Sequence, residues 1–376
     1  MRYASLLVLL FISCLPCPAP GCGLCGNVDG RSSLVVEYQN ADAVIFGRIA
    51  NPKFAANGMG TTEFHIENVL KKHVALPKQQ TMLLSRALPI LDAKNPPRYL
   101  MFFAASKNRV EPYSGRQIDA PAVLDFLAEM QRHRNDPAKT LAIAGEHLDH
   151  ADPLIAEEAF LVFARADDKH IGKYAKQLAP ARLRKLVRTP DLEPERLSMF
   201  AYLLGACGNA DDAELLRSLL DKPAEQNYKS YEGILAGYIT LRPKEGWGLA
   251  LEMLKADKTS LLLRYATLRT LRFYYNADPQ QFGPVVMRGM GQAVTHSDLA
   301  DIAIHDLRRW QRWEHTKLIV SCYDQKSHRS PIVQNGIVRY ALACPLPEAR
   351  TLVERVRRQD PELVRDLEEA LKDLEK

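Results

Sequence analysis

The chain has 376 residues, 47% of them hydrophobic and 25% charged, a balance ordinary for a folded globular protein and too apolar for general disorder. Its formal net charge of +5 is small for this length and does not imply nucleic acid or an anionic membrane as a partner. The length admits two or more domains.

Residues 1–21 read as a secretory signal. Arg2 supplies a positive charge, LLVLLFI a short apolar run, and the following SCLPCPAPG is rich in small residues and proline. The run is too short to span a bilayer, and no later stretch is long and apolar enough for a transmembrane helix. The expected protein is exported to the periplasm or cell envelope. Ser13-Cys14 resembles a lipobox and makes a lipid anchor at Cys14 an expectation, with Phe11 standing where such boxes usually carry Leu.

Four of the seven cysteines, Cys14, Cys17, Cys22 and Cys25, fall in this region, and residues 22–31 form a cysteine-containing linker. Cys22 and Cys25 make a CxxC pair. No βαβ pattern adjoins it, as a thioredoxin-like site would need, and no second pair lies nearby, as a zinc ribbon would need. A local disulfide or crosslink is the expectation.

Residues 32–118 form the first folded region. A short helix is expected over 32–39. Strands are expected at 43–49 (AVIFGRI), where the internal glycine points to a bulge, at 61–70, where Phe64 and Ile66 alternate with His65 and Glu67, at 81–84, and at 99–103 (YLMFF), the most apolar and hence central. Turn-forming clusters separate them, the pattern of a small sandwich or barrel. The stretch NADAVIFGRI…TTEFHIENVLKK…PPRYLMFF resembles the netrin-like, or metalloproteinase-inhibitor-like, barrel of OB type. Asp42, Val44 and Gly47 carry its first element, Val69, Leu70 and Lys71 its second, and Tyr99, Leu100 and Phe102 its third. The resemblance implies an OB/netrin-like barrel and admits a role as an envelope enzyme inhibitor or accessory. Members of that family tie N-terminal cysteines into the barrel; here residues 26–206 contain no cysteine, so an inhibitory wedge is not expected.

From residue 119 the pattern is helical. Ala120-Pro121, Asp136-Pro137, Asp152-Pro153 and Asp360-Pro361 each place Pro in a first turn, three of them behind an Asp cap. Six stretches then superimpose: EEAFLVFA, LSMFAYLL, EGILAGYI, ATLRTLRF, AIHDLRRW and NGIVRYAL. Their apolar anchors are Phe160, Phe200, Ile234, Leu268, Ile304 and Ile337, at steps of 33 to 40 residues. The residue before each anchor is mostly small and the residue three places after mostly apolar. Such a period with helical internal spacing marks a helix-pair array. Second helices are expected at 210–221, 246–256, 279–292, 313–323 and 347–358. The last helix sets Leu363, Leu367, Leu371 and Leu374 opposite a charged side, suiting a capping element. The fold class expected is therefore α+β multidomain: an N-terminal OB/netrin-like β-barrel over 32–118, then an all-α HEAT-like α-solenoid over 119–376. As a whole the chain is similar to exported planctomycete proteins that pair a CxxC leader end with this barrel and a helical tail. The segments carrying that likeness are Cys22 to Cys25, 147–160, 195–208 and 299–310, and the set has no assigned activity.

Chemistry is sparse. No GxSxG, Walker loop, Rossmann glycine motif or HExxH occurs, and catalytic residues, cofactors and metals are not expected. Glu146, His147, Asp149 and His150 form a metal-like group, but Asp149 leaves the face that the two histidines share, so surface polar residues closing a helix are expected. Trp247 and Tyr274-Tyr275 are expected to pack between repeats. Cys207, Cys322 and Cys344 are expected as buried thiols, with a bridge between the last two left open. Arg308, Arg309, Trp310, Arg312 and Trp313 interleave cations with indoles. They are the candidate partner contacts, for an anionic polymer in particular, although Trp310 at a helix joint also suits a turn plug. The function expected is non-enzymatic: an interaction or scaffold protein whose helical surface binds an extended protein or polysaccharide partner, with no nucleic acid.

Overall fold

The computed structural model describes Leu24 and residues 30–55, 60–106, 109–221 and 228–374. The segment expected to be a signal, Cys14, and the Cys22 and Cys25 pair lie outside the described residues. Helix α1 (Leu34–Asn40) precedes strands β1 (Ala43–Phe54), β2 (Gly60–Lys71), β3 (Thr81–Leu84), β4 (Arg98–Ser106) and β5 (Arg109–Gln117). Helices follow without further strands among the described residues: α2 (Ala122–Arg132), α3 (Pro137–His147), α4 (Pro153–Arg165), α5 (Asp168–Ala175), α6 (Pro180–Val187), α7 (Pro194–Cys207), α8 (Ala210–Leu220), α9 (Tyr228–Leu241), α10 (Pro243–Lys255), α11 (Leu261–Ala277), α12 (Pro279–Thr295), α13 (Ala300–Arg309), α14 (Thr316–Cys322), α15 (Pro331–Ala343), α16 (Pro347–Gln359) and α17 (Pro361–Leu374). The protein is thus a mixed α+β chain, with an antiparallel sheet ahead of a long helical region.

The sheet runs β3-β2-β1-β4-β5. β1 and β4 are buried on both faces, which is why AVIF and YLMFF read as continuous apolar runs. Val44, Phe46, Leu100 and Phe102 join the core that continues into the helices, while Ala43, Ile45, Phe64, Met101 and Phe103 form a second core on the other face. The β1–β2 register shifts between Phe46 and Gly47, and a Cβ on Gly47 would overlap the His65 carbonyl. β5 is the strand that periodicity does not announce. Of its nine residues only Val110 is buried, and Pro112 sits within it, tolerable because it is an edge strand.

In the helical region Asp136, Asp152, Asp278 and Asp360 each accept a backbone N–H of the first turn of the helix they precede, at 2.8–3.0 Å. The six anchors lie on α4, α7, α9, α11, α13 and α15, and every one is at most 3% exposed. Helices α7 and α9 pack together, as do α9 with α11 and α13 with α15. The small residues beside the anchors have a steric reason. A Cβ on Gly233 would overlap the Ser198 carbonyl, and one on Gly205 would overlap the Gly237 backbone, so α7 and α9 approach backbone to backbone. The long 40-residue step holds two short helices, α5 and α6, in place of one. On α17 the inward face includes Val364 with Leu367 and Leu371, turned toward α15 and α16.

Candidate partner-binding surface

Two places gather unusual polar chemistry. The first is the joint after α13. The chain reverses at Gln311, whose φ of 54° is left-handed, and the N–H of Arg312 donates to the Leu307 carbonyl at 2.8 Å. This reversal drives both indoles inward. Trp310 stacks on Tyr275 of α11, centroids 3.9 Å apart, and Trp313 meets Tyr340 of α15 edge-on at 5.2 Å. The Tyr340 hydroxyl donates to the Arg312 carbonyl at 3.1 Å. Arg312 pairs with Glu314, donating at 2.9 Å and holding that carboxyl below the usual range. Below the joint, Arg272 of α11 donates to the buried Asp306. Arg309 is exposed; Arg308, Trp310, Arg312 and Trp313 are half-buried. The five residues are contiguous, with the indoles serving the joint and Arg309 turned to solvent.

The second place was not singled out by sequence reasoning. Glu158, Ser198 and Glu232 each precede their anchors by two positions and are buried. The first two hold the N-terminal segment of this chain. Glu158 accepts from the Leu34 N–H and the Ser33 hydroxyl, both at 2.8 Å, and from the Val35 N–H at 3.2 Å. Ser198 Oγ donates to the Leu24 carbonyl at 2.7 Å and accepts from the Gly233 N–H at 3.0 Å. Leu24 is completely buried. Between them Arg31 pairs with Glu157 at 3.0 Å and Glu193 at 3.3 Å, and its carbonyl accepts from Arg165 at 2.7 Å. The Arg31 and Arg196 guanidinium groups both lie over the Phe160 ring, 5.7 and 5.4 Å from its centroid. The available signal was a polar residue recurring inside otherwise apolar helical runs.

Glu232, third in this row, faces Arg269 at 2.9 Å, and burial pushes its carboxyl up to about 8 despite that cation. His147 and His150 stack at 5.6 Å but spend their Nδ1 atoms on the Ile143 carbonyl and the Asp152 N–H, while Asp149 pairs with Arg182. Among the described residues no group of three or more His, Cys, Asp or Glu is placed to hold a metal ion. Cys207, Cys322 and Cys344 are free thiols, the last two buried, and Trp247 packs on Tyr274 with centroids 5.0 Å apart. No described helix is long and apolar enough to cross a membrane.

No protein-family model matches the chain, and no curated protein matches it. Among solved structures, human deoxyhypusine hydroxylase in complex with glycerol is similar at 16% identity and a TM-score of 0.27, over 68% of this chain and 91% of that one. A TM-score this low carries no argument about fold or activity.

Proposed function

We propose that this is an exported, non-enzymatic interaction or scaffold protein whose helical region is a HEAT-like α-solenoid that binds an extended partner, a polypeptide or polysaccharide. The sheet is read as an OB/netrin-like barrel, open between β3 and β5; its strand order would make those two strands parallel neighbours on closure, the OB arrangement. One observation carries the binding reading: the helical region already holds polypeptide backbone with its side chains. Ser198 donates to the Leu24 carbonyl, Arg165 donates to the Arg31 carbonyl, and Glu158 accepts from the Leu34 and Val35 amides. Side chains from successive helices, spaced at the repeat, are a general means of reading an extended chain. Leu261, Leu262 and Ile332, on α11 and α15, are large apolar side chains left 43–61% exposed.

The test is site-specific photocrosslinking with the full chain in cell-envelope extract. Crosslinkers at Leu262 and Ile332 should capture a polypeptide or glycan, and one at Phe54 on the sheet should not. Capture from Phe54 alone would move the function to the barrel.

A further inference from the structure

β3 and β5 are the two edges of the sheet, and both line one cavity of about 460 Å³. That volume lies in the range of small-molecule sites. The floor is made by Leu84, Met101 and Val110, each no more than 9% exposed and all part of the second core. The lip is different. Arg86 follows β3 and Arg109 begins β5; the two strands run parallel, so the guanidinium groups stand toward opposite ends of the apolar floor. Glu111 is the single acid in the lining, and it lies 3.9 Å from Arg109 with both side chains mostly in solvent. The cationic bias extends beyond the lip. Residues 32–118 hold eleven Lys and Arg against six Asp and Glu, an excess equal to the +5 of the whole chain.

An apolar floor with a cation toward each end selects an amphipathic anion. A neutral apolar ligand would leave the arginines without a role, and a small hydrophilic anion would not cover the floor. We propose that this cavity binds a fatty acid or a similarly shaped lipidic carboxylate. Its chain lies against Leu84, Met101 and Val110, and its carboxylate is held by Arg86 at one end or by Arg109 at the other, each with a planar fork that matches a carboxylate. This is independent of partner binding by the helical region.

The experiment is titration of the full chain with dodecanoate, below its micellar concentration, against dodecanol as the neutral control. Dodecanoate should bind saturably and dodecanol at least about tenfold more weakly. R86E/R109E, two exposed changes, should cost dodecanoate about tenfold or more and leave dodecanol unchanged. Ser114→Trp, at a half-buried lining position, should abolish binding of both with the circular dichroism spectrum intact. A photoreactive dodecanoate analogue on the unaltered chain should label residues 82–88 and 109–115, which serves if the tryptophan variant misfolds. Absence of saturable dodecanoate binding, equal affinity for the alcohol, or labelling confined to other regions would each overturn the proposal.

Discussion

Glu158 on α4 caps α1 from 124 positions away, its Oε1 accepting the Leu34 N–H at 2.8 Å. The other end of α1 is held by the sheet: Lys71 of β2 donates to the Gln39 carbonyl at 3.1 Å, and the Tyr38 hydroxyl donates to the Leu70 carbonyl at 2.7 Å. One short helix therefore couples the two parts of the molecule. An anion at its N-terminus and a cation at its C-terminus both complement its dipole.

Glu158→Ala leaves a buried hydroxyl and two buried amides without their acceptor. The expected cost is about 2–4 kcal/mol in denaturant titration, with faster hydrogen exchange at Leu34 and Val35. A loss under about 0.5 kcal/mol would show that the coupling does not contribute to stability.

Two glycines carry opposite predictions, Gly237 inside the α7–α9 contact and Gly248 outside it. Gly237→Ala inserts a methyl group against the Ala201 carbonyl, and should cost about 1–3 kcal/mol despite the better helix propensity of alanine. Gly248→Ala on α10 meets nothing within 4 Å and should stabilise by about 0.5–1 kcal/mol. Thermal melts that shift the same way for both would refute the backbone-contact account.

Glu232 gives a pH dependence with a definite sign. Its folded pKa, raised by burial to about 8, exceeds the unfolded value of 4.5, so the folded state retains a proton that the unfolded state releases between those values. Stability from this group is fully present below the unfolded pKa and is lost as pH rises toward about 8. Glu232→Gln keeps the neutral shape and should remove that decline. The gap between the two proteins should change by a few kcal/mol, order of magnitude, between about pH 5 and pH 8.5. Parallel stability curves would place a charged carboxylate beside Arg269.

The joint after α13 separates packing from recognition. Trp310→Ala should cost about 2–4 kcal/mol through loss of the Tyr275 stack. Arg309→Glu, exposed, should change stability by less than about 0.5 kcal/mol. If the cluster binds anionic polymer, that same substitution should lower the salt needed to elute the protein from heparin. Unchanged elution would remove the anionic-polymer reading and leave the indoles as packing alone.

Much of the helical region was legible residue by residue. The anchors from Phe160 to Ile337 are buried as their spacing requires, and the Asp-Pro starts cap helices where they stand. The strands with buried faces were visible as well. β5 was not, because an edge strand with a single buried residue imposes no alternation on its sequence. The row of Glu158, Ser198 and Glu232 was hidden because its partners lie far away along the chain.

Local rules act through neighbours, so hydrophobic period, caps and glycine spacing were set by the amino-acid order itself: an antiparallel sheet, then helices repeating about every 35 residues. What lies between elements depends on distances no local pattern encodes. The curl that brings β3 and β5 to one cavity, the inward turn of Trp310, and the capture of the Leu24 carbonyl by Ser198 arise only when separate parts of the chain share a core and their polar atoms must find partners out of water.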